Sequence, residues 1–177
     1  MAKPTPRPFD GLLIVDLCEN IAGPYATKLF VDAGAQVIKV EPRGGDPMRL
    51  WTASFQNLPE GEASPLFQYL NAGKQSIVLD PRDAQDRADY ARLAERADLL
   101  FEDWGPGRLE ELGLDPEAWQ EANPRLSIVR LSPWGQIGPW SKYPANEFTL
   151  QAATGSVDYR GLPERYPVAA GGRIGDW

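Results

Sequence analysis

Two short apolar runs separated by a helical pattern are the feature that most restricts the fold of this sequence. Residues 11–17 (GLLIVDL) and 35–41 (AQVIKVE) have the length and composition of buried strands. Between them, residues 25–33 carry apolar side chains at helical spacing, and Gly34 is placed to end that helix. A strand, a helix and a second strand within about 30 residues form a βαβ unit, which joins parallel strands. The sequence therefore predicts a parallel α/β sheet.

The same alternation continues along the chain. Further strands are predicted at 75–80, 98–103 and 126–132. Helices are predicted over 64–70, 83–97, 108–112, 115–122 and 146–157, the last as far as Gly155. The predicted fold is a Rossmann-like parallel sheet flanked by helices over 11–177, after an N-terminal arm at 1–10. The chain stops at a Gly-Asp-Trp step without a closing helix, so we expect the domain to continue in a longer protein.

The composition excludes several kinds of chemistry. The chain has no histidine, which removes Ser-His-Asp and Cys-His catalysis and the commonest metal ligand, so no metal site is predicted. Its single cysteine, Cys18, cannot form an internal disulfide, which suits a reducing, cytoplasmic setting. The net charge of −7 and the lack of a basic stripe argue against a nucleic-acid partner. No apolar run is long enough to predict a membrane span.

The first loop does not carry a nucleotide-binding motif. A dinucleotide fold needs G-x-G-x-x-G after its first strand, and here that loop holds Gly23 alone. The loops after the strands are nevertheless rich in Gly, Trp and Arg, which suits an extended ligand with phosphates and an aromatic base. Gly and Pro also punctuate turns in any α/β protein, so residue types alone leave both interpretations open.

Five strings occur in an order and spacing that resemble the class III CoA-transferases. They are IAGPYATKLFVDAGAQVIKVEPRGGDPMR, LNAGKQSIVLD, DLLFEDWGPGRLEELGL, NPRLSIVRLSPWGQIGPW and the closing GGRIGDW. This family contains formyl-CoA transferase, carnitine CoA-transferase and the α-methylacyl-CoA racemases. The resemblance implies a Rossmann-like large domain, a smaller domain further downstream and an interlocked homodimer. It also implies transfer of CoA from an acyl-CoA to a carboxylic acid, with no tightly bound cofactor.

The resemblance assigns catalytic roles to three residues. The family's reaction passes through anhydride and thioester intermediates on one aspartate, which falls on Asp176, with Glu147 and Asn146 near the acyl group. An ionised carboxylate attacks a thioester without a histidine base, and neighbouring glycines leave room for the acyl group. The alternatives are that Asp176 caps a helix in an ordinary turn and that Asn146 is a helix cap.

The family's CoA-binding surface maps by position onto three loops. Its members are Asn20, Ile21, Ala22, Leu70, Asn71, Lys74, Asp103, Trp104 and Gly105. Lys74 and the nearby Arg43, Arg49 and Arg108 are the candidates for phosphate contacts. Trp104 is a candidate to stack near the adenine, with filling of the protein core as its alternative role.

The sequence also departs from the family at two informative positions. Formyl-CoA transferases carry Arg directly after the residue that matches Glu41, whereas here Pro42 follows, which argues against oxalate or formate as substrate. Racemases use a histidine at the position of Asn146, so two-base racemisation lacks a partner here. We therefore predict a transferase, with an acyl-CoA racemase or isomerase and a non-catalytic CoA-binding fragment as the alternatives.

Overall fold

A computed structural model describes residues 5–53 and 56–176, and for Asp176 it describes the backbone alone. These residues form a parallel sheet with helices on both faces. Its strands are β1 (Leu13–Asp16), β2 (Gln36–Glu41), β3 (Gln75–Val78), β4 (Leu99–Glu102) and β5 (Ser127–Arg130). They lie in the order β3-β2-β1-β4-β5, and every neighbouring pair is parallel. The predicted Rossmann-like α/β fold is confirmed.

The helices also follow the predicted order. They are α1 (Ala22–Asp32), α2 (Pro65–Asn71), α3 (Ala84–Arg96), α4 (Arg108–Glu111), α5 (Pro116–Ala122) and α6 (Glu147–Ala153). Short 3₁₀ turns cover Pro47–Leu50 and Ile174–Asp176. The prediction for α6 was too long, because Gly155 takes a positive φ of 74° and turns the chain away. No helix in the described ranges is long and apolar enough to cross a bilayer.

The alternating side chains of β1 build a core on each face of the sheet. Ile14 packs with Val37 in the cluster beneath α1, whereas Val15 packs with Leu100 and Tyr90 in the cluster beneath α3. Since successive strand residues point to opposite faces, a continuous apolar run predicts burial on both sides. The helices α1 and α3 therefore lie on opposite faces.

This strand order fixes where a ligand can bind. The chain leaves β1 towards β2 on one side and returns to β4 on the other side. The loops after β1 and β4 consequently diverge, and open α/β sheets bind their ligands in the crevice that opens there.

Packing of α1 on the first loop depends on Gly23. A Cβ added at Gly23 would overlap the side chain of Cys18, which is fully buried. We expect Gly23→Ala to lower the free energy of unfolding by about 1–3 kcal/mol, because overpacking displaces either the helix or the loop. Urea denaturation measures the difference.

Gly44→Ala is the matched control, since a Cβ there meets nothing within 4 Å and no unusual φ is present. Adding Cys18→Gly to Gly23→Ala should cost less than the sum of the two single changes, because the double variant removes the overlap. Equal stability of the Gly23→Ala and Gly44→Ala variants would contradict this account.

Candidate active site at the carboxyl ends of the strands

A groove of about 580 Å³ opens at the carboxyl ends of the central strands. Its walls come from the loops after four different strands, which places it at the crevice expected from the topology. Five of the residues predicted to contact CoA line it together: Asn20, Arg43, Asp103, Trp104 and Arg108.

Asp103 joins the two loops that form the centre of the groove. Its carboxylate accepts hydrogen bonds from the backbone N–H groups of Glu19 and Asn20, both at 2.9 Å. Burial raises the pKa of Asp103, although these N–H groups favour its ionised form. Burial also raises the pKa of Glu19, with the charges of Asp46 and Asp103 acting in the same direction. Asp103 therefore shapes the loop after β1.

Trp104 fills part of the core, which is one of the two roles considered from the sequence, and stacking near an adenine stays a prediction. The Trp104 ring packs against the buried cluster beneath α3 and also lines the groove. Its backbone N–H donates to Glu102 at 2.8 Å, which fixes the start of the loop. The indole Nε1 is buried without a hydrogen-bond partner in the described part of the chain.

Two of the arginines that line the groove, Arg43 and Arg108, are paired with carboxylates, and Arg43 faces three of them, on Asp80, Asp83 and Asp86. Arg43 lies 3.2 Å from Asp83, and its side chain is 62% exposed. Arg108 pairs with Glu111 at 2.9 Å on the surface. Exposed ion pairs contribute little, so Arg108 can exchange its carboxylate for a phosphate at small cost, whereas Arg43 would give up three partners.

Lys74, unlike Arg43 and Arg108, has a buried side chain. Its side chain is 1% exposed, and its ammonium donates to Asp16, to the carbonyl of Pro24 and to the side chain of Asn71, each at 2.9 Å. Three donors are all that an ammonium has. In this structure Lys74 therefore braces the start of α1 from within.

The remaining residues predicted to contact CoA do not line the groove. Ile21 and Leu70 are buried in a small cluster with Met48 and Phe67, so their side chains serve packing. Ala22 is exposed at the start of α1, and Gly105 takes a positive φ of 90° in the loop after β4. Arg49 is bound by both oxygens of Glu41, at 2.6 and 2.7 Å, which leaves it little freedom to meet a phosphate.

Buried charges near the ends of the strands were not singled out from the sequence. Lys39 of β2 is 1% exposed and lies 2.6 Å from Asp46, and it also donates to the carbonyl of Cys18. Asp16 and Glu102 are fully buried and accept backbone N–H groups of the loops that follow their strands. In the sequence, Lys39, Asp16 and Glu102 each lie inside an apolar run or directly at its end, and this position is the signal that could have indicated a buried charge. Such residues organise the loops that form the groove.

Glu41 makes the stability of this region depend on pH. Burial alone would raise its pKa, but hydrogen bonds from Arg49, Ser76 and the Asp46 N–H outweigh burial and lower the pKa to about 2. A carboxylate with a depressed pKa stabilises the fold above its unfolded pKa, and this contribution disappears as pH falls through the folded value. We expect about 3 kcal/mol of stability to be lost between about pH 4.5 and 2 from this group.

Urea denaturation of Glu41→Gln across that pH range tests the expectation. The variant cannot titrate at position 41, so its free energy of unfolding should depend less steeply on pH. Glu62→Gln, at an exposed position, is the control and should keep the wild-type slope. Identical slopes for both variants would contradict a special role of Glu41.

The C-terminal part of the described chain brings Glu147 next to the Gly-Asp step. Asn146 caps α6, since its Oδ1 accepts the N–H of Thr149 at 2.9 Å. One oxygen of Glu147 accepts the N–H of Gly175 at 2.7 Å, and the other is buried without a hydrogen-bond partner in the described residues. Asp176 ends the 3₁₀ turn that begins at Ile174, and its side chain lies outside the described residues.

Gly175 is required for this close approach. A Cβ at this position would lie 3.0 Å from the Cβ of Leu150 and 3.1 Å from the second oxygen of Glu147. With any larger residue, the turn, Leu150 or the Glu147 side chain would have to shift by a few tenths of an ångström.

Arg173 connects this turn to the groove. Its guanidinium donates to the side chain of Asn20 and to the sulfur of Met48, both at 3.3 Å. Asn20 also lines the groove, so this contact ties the turn that contains the Gly-Asp step to one wall of the groove.

An open parallel sheet with a groove at its topological switch point defines a Rossmann-like α/β protein of the ligand-binding type. The chain belongs to CoA-transferase family III, whose sequence model matches residues 9–177. This confirms the family that the five sequence strings indicated.

Proteins with similar sequences and structures agree with the assignment to this family. The chain is 40% identical over 172 residues to acetyl-CoA:oxalate CoA-transferase of Acetobacter aceti, covering 97% of this chain and 43% of that protein. It is 33% identical over 172 residues to succinate–glutarate CoA-transferase of Agrobacterium fabrum, covering 96% of this chain and 43% of that protein. The crystal structure of a CAIB/BAIF family protein from Brucella suis superimposes with a TM-score of 0.87 at 34% identity, covering 97% of this chain and 46% of that one. The chain therefore spans less than half the length of these relatives.

Proposed function

We propose that this protein transfers CoA from an acyl-CoA to a carboxylic acid, with Asp176 as the nucleophile. The observation that carries the proposal is the hydrogen bond from the Gly175 N–H to Glu147, which holds the Gly-Asp step on α6. The contact of Arg173 with Asn20 supports the same arrangement, because it keeps this step beside the groove.

The groove supplies features that suit CoA. Arg43 and Arg108 offer guanidinium groups for phosphates, which planar forks of donors bind well. Trp104 presents part of its apolar ring at the wall of the groove. An extended ligand lying along the groove would reach the Gly-Asp step past Asn20.

The proposed reaction divides one exchange into four balanced steps. The Asp176 carboxylate attacks the thioester carbonyl, and CoA thiolate leaves as a mixed anhydride forms. The thiolate then attacks the aspartyl carbonyl, which releases the donor acid and leaves an aspartyl-CoA thioester. The acceptor carboxylate then attacks the aspartyl-CoA thioester, displaces the thiolate and forms a second anhydride. Finally, the thiolate attacks the acyl carbonyl that the acceptor brought into this anhydride, which gives the new acyl-CoA and restores the Asp176 carboxylate. Covalent catalysis of this kind replaces one difficult step by several easier ones.

Asn146 favours transfer over racemisation. Removal of an α-proton needs a group that titrates near neutral pH, and an amide does not. The Asn146 oxygen is also engaged with the Thr149 N–H as a helix cap. The interlocked homodimer, the cytoplasmic location and the boundary between an arm at 1–10 and a domain at 11–177 stay predictions alongside this proposal.

Chemical trapping tests the proposed function. The protein is incubated with acetyl-CoA or succinyl-CoA and hydroxylamine, and its peptides are analysed by mass spectrometry. We expect a hydroxamate on Asp176 that depends on the acyl-CoA, and none when free CoA replaces it. Modification of a different carboxylate, or none on protein that binds acyl-CoA in calorimetry, would contradict the proposal. Deuterium uptake at the α-carbon without an adduct would favour the isomerase instead.

A further inference from the structure

Gln151 is a buried amide whose hydrogen-bonding capacity is fully used. It lies in α6 and is 1% exposed. Its Nε2 donates to Glu147 at 2.5 Å and to the carbonyl of Ala170 at 3.2 Å. Its Oε1 accepts from the N–H of Ala170 at 2.9 Å and from Arg160 at 2.8 Å. Two donors and two acceptor positions are all that a glutamine side chain offers.

These four bonds join parts of the chain that are otherwise separate. Ala170 is held by both its N–H and its carbonyl, as a neighbouring strand would hold it. Glu147 receives the Gln151 amide on the same oxygen that accepts the Gly175 N–H at 2.7 Å. Gln151 therefore fixes both ends of the loop 170–175, one end directly and the other end through Glu147.

The location of this amide argues for more than a contribution to packing. A buried side chain whose donors and acceptors are all paired holds the groups that it contacts in fixed positions. Gln151 is satisfied, whereas the second oxygen of Glu147 is buried beside Gly175 without a partner in the described ranges. The network thus ends at an open acceptor immediately before Asp176.

We propose that Gln151 is a positioning residue for the Gly175–Asp176 step, acting through Glu147 and Ala170. This inference rests on the proposed function, because it matters for catalysis only if Asp176 is the nucleophile. Nucleophile and thioester must be held within a fraction of an ångström of their reacting geometry, and loss of that alignment slows the chemical step more than binding.

Two substitutions separate the bonds of Gln151. Gln151→Met keeps the volume and removes all four bonds. Gln151→Glu keeps the acceptor for the Ala170 N–H and for Arg160 but removes both donated bonds, to Glu147 and to the Ala170 carbonyl. It therefore separates the donated bonds from the accepted ones, and it serves if the methionine variant does not fold. The matched controls are Gln85→Met and Gln85→Glu, at an exposed position of α3.

Amide hydrogen exchange and adduct kinetics are measured on the full chain. We expect faster exchange at Gly175 in both Gln151 variants and at Ala170 in Gln151→Met, with unchanged exchange in α3. The rate constant for adduct formation should fall roughly 10-fold to 100-fold, while KM for the acyl-CoA stays within about two-fold. Unchanged exchange at Gly175, or a rate equal to that of the Gln85 controls, would overturn the proposal. If the wild-type chain forms no adduct at Asp176, the proposed function fails, and exchange at Gly175 and Ala170 alone decides whether Gln151 positions the loop.

Discussion

Replacing Lys74 by methionine is expected to lower the free energy of unfolding by about 3–5 kcal/mol, because it leaves a buried carboxylate without its partner. Asp16 is fully buried and accepts from Lys74 at 2.9 Å. Burial alone would raise the pKa of Asp16, but the charges of Lys39 and Lys74 hold that pKa below its usual value. The substitution also removes the donors to the carbonyl of Pro24 and to Asn71, which brace α1. Urea denaturation measures the loss.

The matched control is Lys28→Met. Lys28 pairs at 2.7 Å with Asp32, whose side chain is 56% exposed, and its ammonium lies 5.3 Å from the centre of the Tyr69 ring, so its loss should cost no more than about 2 kcal/mol. Adding Asp16→Asn to Lys74→Met should restore part of the stability, because the buried charge is then absent.

Lys74→Met also decides between the two roles considered for Lys74, which are bracing α1 and binding a CoA phosphate. If Lys74 met a CoA phosphate instead of bracing α1, Lys74→Met would weaken CoA binding and leave stability near that of Lys28→Met. That result would contradict the bracing role.

Replacing Asp176 by asparagine is expected to slow CoA transfer by at least about 1,000-fold, because removal of a covalent nucleophile leaves only binding and positioning. CoA affinity should change little, since the groove is formed by the loops after β1 to β4. Steady-state kinetics with an acyl-CoA and a carboxylic acid, together with calorimetry for CoA, measure the two effects separately.

Asp158→Asn provides the control for this change, because Asp158 is exposed and lies in the same C-terminal part of the chain. It should retain wild-type kinetics. Transfer at more than a tenth of the wild-type rate in Asp176→Asn would exclude Asp176 as an obligatory nucleophile.

The order of strands and helices could be predicted because it depends on local patterns. The run GLLIVDL shows strand length and burial without knowledge of its neighbours, and Asp115 with Pro116 marks a helix start that the structure confirms. Element ends were less certain: α6 stops at Ala153 because of turn geometry that the apolar spacing does not encode.

The candidate site could be predicted only in part. Asn20, Arg43 and Asp103 fall on loops after parallel strands, so the sequence placed them near one another before the structure did. Lys74 has the same local appearance as Arg43, a basic residue on a glycine-containing loop, yet one is buried and the other exposed. No property of the neighbouring residues distinguishes them.

The sequence by itself determined the parallel α/β architecture and the family, because both depend on short-range periodicity and on ordered motifs. Only the tertiary structure decided which charges are buried, which basic residues face the groove and what holds the Gly-Asp step. Lys74 reaches Asp16 across 58 residues of chain, and Gln151 reaches Ala170 across 19. Such contacts arise when strand order and helix packing bring distant segments together, and hydrogen bonds and ion pairs then offset the cost of burying a charge or an amide.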